Sequence, residues 1–201
     1  LMSATVTADG RRMIISPQPV SYLPAPDYLH HTRQARDIDA IDFCAFFSRQ
    51  HPRKLLMTNA LRMSATFPYV LPNVYLPTMP IIDVMDAGLR DSFGQEMSLR
   101  FLHVFRQWIN ENTSGVVFLQ IRDSRKNEIM PVAPQKDLGD ILLEPLFTVQ
   151  KNWAAFQDYY QNDMISYAAH FLTVPFDRII FQYVPRQENK SAALNWHLTT
   201  R

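Results

Sequence analysis

One cysteine, five glycines, no long apolar run and almost no net charge set the first limits on this chain of 201 residues. Cys44 stands alone, which rules out an internal disulfide and any metal cage built from cysteines, and leaves the compartment open. The longest apolar stretches, Val116 to Leu119 and Arg178 to Phe181, have the length of strands. A bilayer-crossing helix needs about 20 predominantly apolar residues, so no transmembrane segment is expected. The 20 basic and 19 acidic side chains give a formal charge of +1 and are mixed along the chain, which leaves no electrostatic footprint for nucleic acid or anionic lipid. A basic and apolar leader is missing as well: strand-like Met2 to Thr7 follows Leu1 directly. The expectation is a piece of a longer protein, with neither a natural start nor a signal peptide.

What is present suits one soluble globular domain: 47% hydrophobic and 19% charged residues, enough to bury a core. Residues 2–7 and 12–16 are apolar and β-branched runs around Ala8-Asp9-Gly10-Arg11, a turn in which glycine supplies a positive φ, and they predict a hairpin or a bent strand. Residues 17–37 hold four prolines and no period, and predict a surface loop. Apolar residues at helical spacing predict helices over 39–50 and 53–64, with Pro52 between them, and proline then forces extended chain from Phe67. Met97, Phe101, Val104, Phe105, Trp108 and Ile109 repeat on one helical face from Gln95 onward. Residues 116–122 and 178–184 read as buried strands, and 139–172 as helix. The alternation predicts an α/β fold with helices over a largely parallel sheet.

The chemistry concentrates in Pro80 to Gly94, PIIDVMDAGLRDSFG, a strand, a turn and a helix. Asp86 follows an apolar strand, Ile81 to Met85, and precedes the small pair Ala87-Gly88, which lets the backbone bend and leaves room beside the carboxylate. A carboxylate so placed can take a proton from a hydroxyl nucleophile within about 2.6–3.2 Å. An aspartate there can equally cap the turn or the next helix. His30 and His31 are adjacent, so in extended chain they point apart, and His51, His103, His170 and His197 share no ligand spacing; no metal and no cofactor is expected. The segment 67–77 can line an acyl groove or belong to the core. The basic clusters 49–54 and 122–126 read as solvated faces, and the glycosylation patterns at Asn112 and Asn189 are of a kind common by chance.

Leu61 to Pro72, LRMSATFPYVLP, followed by Asp86-Ala87-Gly88 and Arg90-Asp91-Ser92, resembles the second half of patatin-like phospholipases. There a small-residue helix end of the type ASAAFPYLFPP precedes a strand carrying the catalytic DGG or DGA aspartate. Ser3 to Arg12 is similar to the family's NATDLxTGR strand, so three landmarks stand in the family's order across residues 1–95. The resemblance implies a partial three-layer α/β/α sandwich and a lipid acyl hydrolase with a Ser-Asp dyad, in which Asp86 accepts the serine proton. It implies a lipid or acyl-ester substrate and leaves open a membrane surface at the periphery. The region 96–201 matches only as generic helices and strands.

Two features depart from the family pattern. Glycines at 10, 88, 94, 115 and 139 permit no G-x-S-x-G elbow and no glycine-rich oxyanion loop, so the nucleophile is expected upstream of Leu1 and this chain alone is expected to be inactive. Ala87 and Ser92 replace the usual glycine and asparagine, and alanine suits the turn only at negative φ. A piece lacking its first strands would expose a sheet edge and self-associate, or pair with the missing part. The competing reading is a non-catalytic α/β module for binding or scaffolding; a third is a second chain that supplies the serine.

Overall fold

The computed structural model describes residues 1–24, 38–67, 71–122 and 138–182. His30, His31, His197, Asn189 with its glycosylation pattern, most of the 122–126 cluster and the end of the 178–184 strand lie outside these residues.

The expected hairpin is present. Strands β1 (Met2–Val6) and β2 (Arg12–Ile15) pair antiparallel, and Gly10 takes a φ of 71° in the turn, a conformation that side chains with a Cβ resist. Strand β3 (Ala40–Asp42) joins β2 in parallel, while β4 (Val74–Leu76) and β5 (Ile82–Met85) form a second hairpin whose β5 pairs antiparallel with β1. The order is β3-β2-β1-β5-β4. The expectation of a largely parallel sheet is therefore overturned, for a local reason: both hairpin connections are a few residues long, and a parallel return needs a crossover of a dozen or more.

Side-chain alternation gives the sheet two buried faces. Ala4, Val6, Met13, Ile15 and Val84 point to one side and pack with Phe43 and Phe47, and with Ala60 and Met63 of α2 (Met57–Ser64). Ile14 points to the other side, toward Met97 of α4 (Gln95–Val104). Helices thus cover both faces, and the fold belongs to the mixed α/β class. A separate two-stranded parallel sheet, β6 (Val116–Arg122) with β7 (Phe176–Gln182), packs through Phe118 against Leu99, Leu102, Ile165 and Ala168 of α4 and the long α6 (Leu138–Phe171).

Several boundaries move. Residues 39–50 are not one helix: Asp42 ends β3, and its Oδ1 caps the short α1 (Phe43–Phe46) by accepting from the amides of Cys44 at 2.9 Å and Ala45 at 3.3 Å. Residues 53–56 lie before α2, in a single 3-10 turn and its exit. The helix expected from Gln95 to Ile109 breaks at Phe105, whose φ of −96° and ψ of 10° leave the helical region, and resumes as α5 (Arg106–Asn112). Phe101 and Trp108 are exposed there, while Leu99, Leu102 and Ile109 are buried. In β5, Val84 is buried but Ile81 is exposed and outside the strand. β6 is buried on one face only.

Candidate functional site

Asp86 is the first residue after β5 and precedes the one-turn α3 (Gly88–Asp91). Main-chain hydrogen bonds fix it from two sides. Its N–H donates to the Thr66 carbonyl at 3.0 Å and the Ala87 N–H to that of Ser64 at 3.0 Å, while the Thr5 hydroxyl on β1 donates to the Asp86 carbonyl at 2.9 Å. The end of α2, where the SATFP segment lies, is thereby joined to the DAG turn. Ala87 has a φ of −63°, so the negative φ that alanine requires is met.

Gly88 answers a different need. Its N–H donates to Asp86 Oδ1 at 2.6 Å, and a Cβ built on it would stand 2.7 Å from the same oxygen. That is closer than real Cβ contacts come, so the carboxylate occupies the space a side chain would take.

The carboxylate is half-buried, and loss of solvent pushes its pKa above the ordinary aspartate value, with the Gly88 hydrogen bond opposing in part. Its second oxygen, Oδ2, accepts no hydrogen bond among the described residues. In this it differs from its neighbours. Asp39, Asp42, Asp83, Asp91, Glu96 and Asp158 each have both oxygens engaged. Asp83, one turn of strand earlier, shows the contrast: Thr7 at 2.5 Å and Asn73 at 2.8 Å hold its two oxygens, and these bonds draw its pKa down against a small effect of burial. Asp91 resembles Asp86 in being raised by burial, yet it is saturated by the Gln95 and Met97 amides, Gln161 and Arg12. Its carboxylate takes two first-turn amides of α4, whose N-cap residue is Gly94.

Residues that the sequence reading missed hold this turn. Along one face of α6, Trp153 donates through Nε1 to the Leu89 carbonyl at 2.6 Å. Gln157 donates to the carbonyls of Gly88 at 3.2 Å and Leu89 at 2.9 Å and accepts from the Ser92 N–H at 2.9 Å. Gln161 donates to Asp91 at 2.8 Å. The spacing i, i+4, i+8 is visible in the sequence, but nothing there says what polar residues on a helix face will meet. Beneath them lies a neutral ion network in which Arg12, 1% exposed, reaches Glu96 at 2.8 Å and Asp91 at 3.5 Å, while Arg90 and Arg100 share Asp39. Burial acts to raise the pKa of Asp39, but Arg100 and Arg90 outweigh it and hold the carboxyl below its usual value.

Two hollows adjoin these elements. A cleft of about 540 Å³ between Thr5, Leu89 and Arg90 and the Trp153, Phe156 and Tyr160 side of α6 begins three residues after Asp86, whose side chain is not in its wall. A groove of about 500 Å³ lies between α1, α2 and β4 and includes Val74 to Pro77, so part of the 67–77 segment does line an apolar groove while Leu76 belongs to the core. Residues 68–70 of that segment lie outside the described residues. Cys44 is buried and free, with its thiol on the Ser16 carbonyl, and burial pushes its pKa up. Of the histidines described, His51 lines the groove in a left-handed conformation, His103 stacks edge-on to Phe171, and His170 bonds back to Ser166. Among the described residues no three His, Cys, Asp or Glu side chains form a metal-ligand group, and no helix is long and apolar enough to cross a membrane. No family model, no curated protein and no solved structure matches this chain.

Proposed function

We propose that Asp86 is the proton-accepting carboxylate of a Ser-Asp acyl-ester hydrolase acting on lipids, and that the chain forms the C-terminal part of a three-layer α/β/α sandwich of the patatin-like type. The observation that carries the reading is the free Oδ2 of Asp86: alone among the buried and half-buried carboxylates described, it is raised in pKa, unpaired with any cation and open on one oxygen. Each property favours a general base: burial without a cation makes the carboxylate more basic than one saturated by donors, and the open oxygen can take a hydroxyl proton. Oδ1, held by Gly88, fixes the orientation, and Oδ2 faces the nucleophile.

No G-x-S-x-G occurs in the 201 residues, so the serine comes from sequence outside them, in the same polypeptide or a partner chain. In the reaction the serine hydroxyl attacks the acyl carbonyl while its proton passes to Asp86 Oδ2. The ester C–O bond then breaks as Asp86 returns that proton to the leaving alcohol oxygen, and water, giving its proton to the same carboxylate, attacks the acyl-serine and releases the acid. One observation favours the competing reading of a non-catalytic module: the Gly88 N–H on Oδ1 is also the geometry of an ordinary Asx turn.

Hydrolysis of p-nitrophenyl acyl esters by the serine-bearing protein and its Asp86→Asn variant, with folding followed by circular dichroism, separates the two. The dyad predicts a fall of about 10²–10⁴-fold in kcat in a folded variant. Equal rates, or a serine-bearing protein that hydrolyses nothing, would reduce Asp86 to a turn residue.

A further inference from the structure

The near-neutral charge of the whole chain conceals a polarity. Between Phe43 and Ile82, 40 residues, there are four Lys and Arg and no Asp or Glu, so the rest of the chain carries 16 basic against 19 acidic side chains. The structure gathers this segment around the groove between α1, α2 and β4. Phe43, Phe47, Met63 and Leu76 form the buried floor. Lys54, Arg62 and His51 stand at the rim, and none of them has an acidic partner among the described residues. Large apolar side chains stand at the same mouth in solvent, Leu56 at 64% and Tyr75 at 68% exposed, with Met57 and Leu61 exposed on the adjoining turns of α2. Aliphatic side chains turned into water beside unpaired cations are costly to leave bare and mark a contact surface.

We infer that this face is a docking surface for an anionic lipid bilayer, with Lys54 and Arg62 against the headgroups and Leu56, Met57 and Tyr75 in the boundary between headgroups and acyl chains. Charge complementarity selects the partner: the segment offers only positive charge, and Lys54 and Arg62 share the lining of one apolar trough rather than marking a stripe that could track a nucleic-acid backbone. The apolar side chains at the mouth are largely aliphatic, suited to acyl chains more than to stacked bases. Pro52 opens the 3-10 turn carrying Lys54, and the left-handed His51 before it redirects the chain, so the backbone presents Lys54 at the rim. The assignment stands on charge and exposure and does not depend on Asp86, although α2 connects the two: its C-terminal Ser64 holds the Ala87 amide.

The test is co-sedimentation of the 201-residue chain with vesicles of phosphatidylcholine alone and with vesicles containing phosphatidylglycerol, at low and high salt. Binding is expected to the anionic vesicles, to weaken with salt, and to weaken about fivefold for each cation removed in Lys54→Gln and Arg62→Gln, about 25-fold in the double variant. Leu56→Gln is expected to weaken binding at either salt concentration. Arg11→Gln, which removes the same charge at the β1–β2 turn outside the groove, where it pairs with Asp9, and Asp86→Asn are expected to bind as the unaltered chain does. Equal binding to neutral vesicles, no binding to either, an unchanged double variant, or tighter binding to a single-stranded oligonucleotide than to anionic vesicles would each overturn the assignment. Vesicle binding as expected together with undiminished hydrolysis by the Asp86→Asn variant of the serine-bearing protein would fault the catalytic reading alone.

Discussion

A carboxylate kept half out of water with one oxygen free is a cost to the folded chain. The sign for Asp86 follows from its raised pKa: the folded state holds the proton more tightly than the unfolded chain, so ionisation between the ordinary value of about 3.8 and the raised folded value removes stability. Asp86→Asn is therefore expected to raise the urea midpoint at neutral pH, with the gain vanishing as pH falls below about 4. A variant that is less stable than the parent at pH 7 would contradict this. Asp39 has the opposite sign: its lowered pKa contributes stability above the ordinary value that is lost as pH falls through the folded value, so Asp39→Asn is expected to destabilise at pH 7 and to lose its effect in acid. Beside Asp86, Gly88→Ala places a methyl in the carboxylate's space, and the carboxylate is the group able to yield. Hydrolysis by the serine-bearing protein is expected to fall about 100-fold with little change in melting temperature, since a shift of 1 Å can have that effect. Ala87→Gly, at a helical φ, is expected to cost about 0.5–1 kcal/mol of stability and leave the rate unchanged.

At the scale of elements, the single helix α6 holds the turn that carries Asp86. Gln157 alone meets three main-chain groups of α3 and its exit, two carbonyls and one amide, and Trp153 donates to one of the same carbonyls, that of Leu89. Replacing Gln157 by Leu strands the Ser92 amide, while the Gly88 carbonyl keeps the Ser92 hydroxyl and the Leu89 carbonyl keeps Trp153, and a stability loss of about 1–3 kcal/mol is expected by chemical denaturation. Trp153→Phe removes one exposed bond and is expected to lose less, about 0.5–1.5 kcal/mol. The helix 139–172 and the strands around Gly10 were legible because hydrophobic period and turn chemistry agree there. Residues 39–50 were not, because Ile41, Phe43 and Phe47 sit at spacings compatible with a helix, while the deciding group was Asp42, whose cap is made with amides of α1 and with Val20 far back in the chain. Phe105 likewise breaks a continuous apolar stripe without any glycine or proline to announce it. The five hydrogen bonds of α6 with α3 and its exit were illegible on principle, since they join residues more than 60 apart.

At the scale of the molecule, Arg12 ties the sheet to the helices on its inner side. Arg12→Met would leave Asp91 and Glu96 facing each other around a buried site without their cation, and about 3–5 kcal/mol of stability is expected to be lost. Replacing all three partners with apolar residues of similar volume would test whether the pair stabilises or only specifies the packing. Whole-chain sums misled where the distribution mattered: a charge of +1 concealed a 40-residue segment with four cations and no acid, and alternating helix and strand suggested parallel pairing where short connections impose hairpins. The aspartate and its motif order were visible in the sequence, but the free Oδ2 was not, because it depends on which donors the folded neighbours withhold.

The register of β1 has a temporal consequence. Thr5 pairs with Met85, 80 residues on, so the middle strand of the sheet emerges from a ribosome with one edge covered by β2 and the other bare. At about 5–20 residues per second, the bare edge waits roughly 4–16 seconds for β5. During that interval the nascent chain offers an unpaired strand carrying Ala4 and Val6, and a holdase able to cover it, or the β-edge of a neighbouring nascent chain, would meet its target before Asp86 has been made.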